Sequence, residues 1–152
     1  MNAATDHHRL IHNLGRAGLA PFVLLALLIW LLDGEPQNFT ATAMAIYAAL
    51  IVSCLGGIHW GAAWVHAAAG SVTHDEHQAQ ALWWGIVAPL LAWPGALMPA
   101  HAGLVWLGLL LVACYGVDRK LYPSAGLQEW LAMRFHLSSA AALCCFIAAG
   151  AL

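Results

Sequence analysis

The chain has 152 residues, of which 62% are hydrophobic and 8% are charged. Soluble globular domains are about 45–50% apolar and about 25% charged, and a protein this small has too much surface for so few charges to cover. The composition therefore excludes a soluble enzyme, a disordered chain and a secreted disulfide scaffold, and it indicates an integral membrane protein. The net charge is −2 with five basic residues, so we expect no nucleic-acid partner, because that function needs a dense basic patch.

Five apolar stretches approach the length of about 20 residues that a membrane-spanning helix needs. The sequence predicts an all-α, polytopic bundle of five transmembrane helices that form a single domain over residues 1–152, with spans at 14–32, 40–69, 82–98, 102–117 and 131–152. The third span contains Pro89 and Pro94, and each proline removes a backbone hydrogen bond and favours a kink. The alternative is therefore a four-span protein in which the third stretch is re-entrant.

The positions of Lys and Arg predict the orientation of the bundle, since cytoplasmic segments carry an excess of these residues. Arg9 and Arg16 precede the first span, and Arg119, Lys120 and Arg134 flank the connection between the fourth and the fifth. Five spans with a cytoplasmic N-terminus and an external C-terminus place all five basic residues on the cytoplasmic side. Four spans would separate the two groups, so five spans are favoured.

The second span contains the most distinctive stretch of the chain, Gly-Gly-Ile-His-Trp-Gly-Ala-Ala-Trp-Val-His at residues 56–66. Gly57 and Gly61 form a small-xxx-small pattern that predicts close helix packing. His59 is expected roughly 6 Å to the cytoplasmic side of the helix midpoint, where a polar ring needs a partner. That partner is either a carbonyl or serine of a neighbouring helix or, in the functional interpretation, a quinone carbonyl, a haem iron, another metal or a proton relay.

Deep tryptophans and cytoplasmic-side polar residues add candidates for a ligand site. Trp60, Trp64 and Trp93 are expected to line an internal pocket with His59, because a buried indole N–H needs an acceptor. His66 and His136 are expected at matching depth, as a bis-histidine haem requires. The candidate ligand-binding residues are His59, Trp60, Trp64, His66, Trp93, Arg134 and His136, and the candidate cofactors are a quinone and haem b.

Asp118 and Arg134 are expected at the facing ends of the fourth and fifth spans. The sequence predicts a structural ion pair between them that joins the two helices. The alternative is that Arg134 holds an anionic headgroup or a ligand carboxylate. No Asp or Glu is expected well within a span, which argues against a pump or a secondary transporter.

The sequence predicts neither a catalytic residue nor a metal site. The nucleophile-elbow, Walker, HExxH and Rossmann glycine patterns are absent. His74 and His77 enclose two carboxylates but lack further ligands, so we interpret this segment as a solvated loop, and the same holds for His7, His8 and His12. An enzyme is therefore less favoured than a non-catalytic protein.

Four segments occur in an order that resembles a known family: Leu-Gly-Arg-Ala-Gly-Leu-Ala-Pro-Phe at 14–22, Gly-Ile-His-Trp-Gly at 57–61, Tyr-Gly-Val-Asp-Arg at 115–119 and Trp-Leu-Ala-Met-Arg at 130–134. They resemble an uncharacterised family of small bacterial membrane proteins related to the eukaryotic mitochondrial transmembrane protein 69. The resemblance implies a multi-pass protein of the bacterial inner (cytoplasmic) membrane, and an energy-transducing membrane because the eukaryotic counterpart is mitochondrial. It supplies no biochemical activity.

These observations leave two functional hypotheses. The first is a non-catalytic accessory, assembly or stabilising component of a larger respiratory or photosynthetic membrane complex, whose partners are the lipid bilayer and other membrane-protein subunits. The second is a membrane protein that binds a quinone, haem or other lipid-soluble ligand through His59 and the neighbouring tryptophans.

Overall fold

The computed structural model describes residues 3–68, 76–123 and 125–152, and all regular structure in these ranges is helical. The helices are α1 (Ala3–Ala17), α2 (Ala20–Leu31), α3 (Glu35–Ala68), α4 (Glu76–Leu97), α5 (Ala100–Leu121) and α6 (Leu131–Ala149). A 3-10 turn at Gln128–Trp130 leads into α6. The prediction of an all-α protein is therefore confirmed.

Within the described residues, four helical stretches are long and apolar enough to cross a membrane: His12–Leu31, Glu35–Ala68, Ala100–Leu121 and Gln128–Ala149. They correspond to the first, second, fourth and fifth predicted spans. The predicted third span, 82–98, falls in α4, which is not among the four. The chain thus has the character of a helical membrane protein, and a fifth span stays a prediction.

Several helix boundaries differ from the prediction, and α4 begins at Glu76 rather than at residue 82. α3 begins at Glu35 rather than at residue 40, because an acidic residue and a proline in the first turn both favour a helix start. The connection from α2 is correspondingly short, and Gly34 makes the turn at a φ of +69°. α5 continues to Leu121 rather than ending at residue 117, because the side chain of Asp118 is paired inside the bundle.

The predicted first span is interrupted between α1 and α2. The helix breaks at residues 18–19, and Pro21 starts α2 at a position where a missing N–H costs little. The hydroxyl of Tyr47 donates a hydrogen bond of 2.9 Å to the carbonyl oxygen of Gly18. α3 thereby satisfies a backbone group that the break leaves without a helical partner.

The buried core runs along the contacts that α3 and α5 make with the helices around them. Its largest fully buried apolar side chains come from α2, α3 and α5: Phe22, Ile29, Met44, Val52, Leu104, Leu107 and Leu111. Alanines and cysteines complete the core on α4 and α6. The small residues permit close approach of helices, which in lipid is driven by packing rather than by the hydrophobic effect.

The glycines that bring helices together are not those predicted. A Cβ on Gly56 would lie 2.9 Å from the carbonyl oxygen of Gly85, so α3 and α4 meet at this pair. Around Gly57 and Gly61 a Cβ would meet nothing within 4 Å. The prediction that these two glycines pack a helix is therefore wrong within this chain, because the contact face of α3 is rotated by one residue.

Gly95 and Gly103 allow α4 and α5 to approach closely on either side of Pro99. A Cβ on Gly103 would lie 2.3 Å from the carbonyl oxygen of Gly95. This is backbone, which cannot rotate away as a side chain can, so an alanine here must push the two helices apart.

We therefore predict that Gly103→Ala destabilises the folded protein by about 1–3 kcal/mol, the usual range for overpacking. The matched control is Gly116→Ala in the same helix, where the new methyl group meets open space. Thermal unfolding in detergent, followed by circular dichroism, measures the difference. Equal melting temperatures for the two variants would contradict the close α4–α5 contact.

Candidate functional site

Asp118 is the centre of a buried polar cluster near the end of α5. Its side chain is 1% exposed, and both carboxylate oxygens accept hydrogen bonds from other helices. The sequence predicts Asp118 at the end of the fourth span, and the structure has it in the last turn of the apolar helical stretch Ala100–Leu121. A charge at this position requires partners, since an unpaired buried carboxylate would cost several kcal/mol.

Arg134 of α6 supplies the positive charge. Its Nε donates to Asp118 Oδ2 at 2.9 Å, and its Nη2 donates to the same oxygen. The guanidinium is itself buried, with 7% of the side chain exposed. The pairing expected from the sequence is thus present in the geometry, and the guanidinium is committed to a carboxylate of the chain itself.

His59 of α3 supplies the third member of the cluster. Its Nε2 lies 2.8 Å from Asp118 Oδ1, and the residue is 3% exposed. A carboxylate can only accept, so Nε2 carries the hydrogen of this bond. The sequence led us to expect a carbonyl or a serine as the partner of His59, and the structure provides a carboxylate instead.

Tyr122 closes the cluster just beyond the end of α5. Its ring centroid lies 5.6 Å from that of His59, and the residue is 2% exposed. Burial raises the pKa of Tyr122 to about 12. The phenol therefore stays neutral at physiological pH and adds no second negative charge beside Asp118.

The cluster ties three helices together. Each polar contact joins side chains that are far apart in the sequence, on α3, α5 and α6. Paired buried charges of this kind specify which helices are neighbours and in what register, more than they add net stability. Chemically, the carboxylate has both oxygens occupied, which suits a structural element better than a general base.

The deep tryptophans do not share a pocket with His59. Trp64 and Trp93 are 68% and 66% exposed on the outer surface of the bundle. Trp60 is 37% exposed, and its indole N–H donates to the carbonyl oxygen of Leu82 on α4 at 3.0 Å. The predicted pocket of His59 and tryptophans is therefore wrong, because Trp64 and Trp93 are on the outer surface and Trp60 packs against Gly85 of α4.

His66 and His136 each bond to the helix that carries them. His66 Nδ1 lies 2.8 Å from the carbonyl oxygen of Ala62, and His136 Nδ1 lies 2.7 Å from that of Ala132. His136 is exposed, and His66 is half-buried. No group of three or more metal-ligating side chains occurs among the described residues. His74 lies outside the described residues, as do the side chains of His7, His8 and His77.

A cavity of about 190 Å³ lies beside the polar cluster, between the α1–α2 break and helices α3, α5 and α6. Its wall is mostly apolar, and its polar groups are Arg134 and Ser138 of α6. The hydroxyl oxygen of Ser138 is buried and has no hydrogen-bond partner among the described residues. No sequence pattern indicates this cavity, although Arg134 is a candidate ligand-binding residue and Ser138 lies one helical turn after it.

The signal that the sequence reasoning missed was depth. His59 was placed toward the cytoplasmic side of its span, and Asp118 at the cytoplasmic end of another. With α5 extended by one turn, to Leu121, the two side chains lie at similar depth in the membrane, which predicts that they are partners.

A family model described as protein of unknown function (DUF3429) matches residues 7–150. No curated protein and no solved structure matches the chain. The family match therefore covers nearly the whole chain, including every member of the polar cluster.

We predict that Asp118→Asn destabilises the protein by about 3–5 kcal/mol, because Arg134 is then a buried charge without a counter-charge. Arg119→Gln is the matched control, since Arg119 is the exposed neighbour on the same helix. The double variant Asp118→Leu/Arg134→Met should recover much of the loss, as apolar replacements of buried pairs often do. Thermal unfolding in detergent measures all three, and an Asp118→Asn protein as stable as the control would refute the pairing.

Proposed function

The chain belongs to the DUF3429 family of proteins of unknown function, and we propose that it is a non-catalytic accessory, assembly or stabilising component of a larger membrane complex. A respiratory or photosynthetic complex is the proposed setting. The described polar cluster supports a structural role, because its charged groups bond to one another rather than to an open site.

The single observation that carries this proposal is the outward position of Gly57 and Gly61. They lie one helical turn apart on α3, both exposed, and a Cβ on either would meet nothing within 4 Å. A small-xxx-small face lets the backbone of a second helix approach closely in lipid. Because no described helix of this chain comes within 4 Å of a Cβ at either position, a helix of a partner subunit is the proposed occupant.

We further propose five spans with a cytoplasmic N-terminus and an external C-terminus, in the inner membrane of a bacterium. α4 has 22 residues, which at about 1.5 Å per residue is enough to cross a hydrocarbon core of about 30 Å. It packs on α3 through Gly85, near its middle, and on α5 through Gly95, near its C-terminal end. The proposed relation to the mitochondrial transmembrane protein 69 agrees with this location.

Fusions to the C-terminus test the topology. Five spans predict that a C-terminal alkaline phosphatase is active, because it folds only outside the cytoplasm, and that a C-terminal green fluorescent protein is dark. Four spans with α4 re-entrant predict the reverse. An active phosphatase combined with a dark fluorescent protein is the expected result, and the reverse pattern would remove the five-span arrangement.

Native purification tests the accessory role. We expect the wild-type protein, solubilised in a mild detergent, to bring down a stable membrane-protein partner that mass spectrometry identifies. Gly57→Leu/Gly61→Leu should lose this partner while keeping the melting temperature of the isolated chain, because both positions are open. Isolation of the wild-type protein only as a free monomer would overturn the proposal, as would retention of the partner by the double variant.

A further inference from the structure

The cavity beside Arg134 has the form of a binding site that is built into the helix packing. Its walls come from the α1–α2 break and from three of the long helices, and they include Gly15, Phe22, Leu55 and Leu111. It is partly open to the surroundings of the bundle, so an occupant in the membrane can enter it from the side. Because the wall is apolar, we expect the part of the ligand inside the cavity to be mostly apolar.

Ser138 shows which end of the cavity is polar. The residue is 4% exposed and lines the cavity, and in the part of the chain that the structure describes its hydroxyl oxygen has no hydrogen-bond partner. A serine within a helix usually bonds to the carbonyl four residues earlier, as Ser53 does with Ala49 at 2.9 Å. An unpaired buried hydroxyl costs free energy, and a ligand oxygen in the cavity would remove that cost.

The volume of the cavity limits the size of the occupant. A protein cavity of about 150 Å³ accommodates benzene, so about 190 Å³ holds one substituted six-membered ring. A haem macrocycle exceeds this volume, and the residues that line the cavity include no histidine to bind its iron. A tail on the ring has a place outside the cavity, along the apolar surface of the bundle.

The charges around the cavity indicate a neutral occupant. Arg134 is the charged residue in the wall, and Asp118 already neutralises it through two hydrogen bonds to Oδ2. A carboxylate ligand would compete with Asp118 for the same guanidinium. A carbonyl oxygen accepts a hydrogen bond from the Ser138 hydroxyl without disturbing the ion pair.

We propose that this cavity binds the ring of a lipid-soluble quinone, with one ring carbonyl accepting a hydrogen bond from Ser138 and the isoprenoid or alkyl tail lying along the outer surface of the helices. The cavity is separate from the outward face of Gly57 and Gly61, so this proposal does not depend on whether the chain has a partner subunit.

The test uses the full-length protein, delipidated in detergent, and three probes with alkyl tails of equal length: a benzoquinone, a monoacylglycerol and a fatty acid. Binding is measured as the rise in melting temperature with probe concentration, and affinity from competition with a radiolabelled quinone. We expect the benzoquinone to stabilise the protein at lower concentration than either lipid. Organic extraction and mass spectrometry of the protein before delipidation should also find a quinone.

Ser138→Ala and Ser139→Ala form the matched pair, since Ser139 is the exposed neighbour on the same helix. Loss of one hydrogen bond should weaken quinone binding by about two- to tenfold in Ser138→Ala and leave Ser139→Ala unchanged. Without a probe, Ser138→Ala should melt no lower than the wild type, because it removes an unpaired buried hydroxyl. A structural role for this serine would instead lower the melting temperature.

Ala141→Leu fills the cavity, and Ala132→Leu makes the same change on the exposed side of α6. Quinone binding should disappear in the first and persist in the second; if Ala141→Leu does not fold, Ala141→Val gives the same reading with a smaller side chain. Equal affinity of quinone for all variants would overturn the proposal. So would equal stabilisation by the three probes, which indicates partition into an apolar surface, or a preference for the fatty acid.

Discussion

One carboxylate, that of Asp118, sets the arrangement of the helices around it. A charge in the interior of a membrane protein has no water to solvate it, so its hydrogen bonds must come from neighbouring helices. Asp118 obtains them from His59 on α3 and from Arg134 on α6. These three hydrogen bonds hold one face of each of the three helices together, and a rotation of any one helix would leave a buried polar group unpaired.

Apart from this buried polar cluster, the bundle has apolar residues on its outer surface and small residues between its helices. Many large apolar and aromatic side chains, such as Trp64 and Trp93, are on the outside, where lipid solvates them as well as a protein core would. Glycine and alanine occupy the contacts between helices, because close packing rather than side-chain burial holds helices together in a bilayer. The cavity beside Ser138 is an exception to this close packing, next to the break between α1 and α2.

The sequence predicted the fold class, the approximate position of most helices and the Asp118–Arg134 pair. The fold class and the helix positions follow from the apolar composition of each stretch. The ion pair follows from the positions of the two charged residues at the ends of neighbouring helices. The partner of His59, the glycines in contact and the cavity depend on the rotation of each helix about its axis. A shift of one residue, from Gly57 to Gly56, turns the contact face by about 100°. The pattern of apolar residues in one sequence does not show which of the two faces meets a neighbouring helix. The prediction for the tryptophans is wrong for the same reason, because Trp60 packs on α4 and Trp64 lies on the outer surface.

The tight turn between α4 and α5 has a consequence for how the protein is made. Only Met98 and Pro99 separate the two helices, and the contact of Gly95 with Gly103 lies immediately beside the turn. In the five-span arrangement the pair is therefore suited to enter the bilayer as a helical hairpin during synthesis. The apolar α5 can then supply the transfer free energy that α4, with its prolines and polar first turn, lacks alone. In that arrangement α4 would insert together with α5, and its own hydropathy would not have to suffice for insertion.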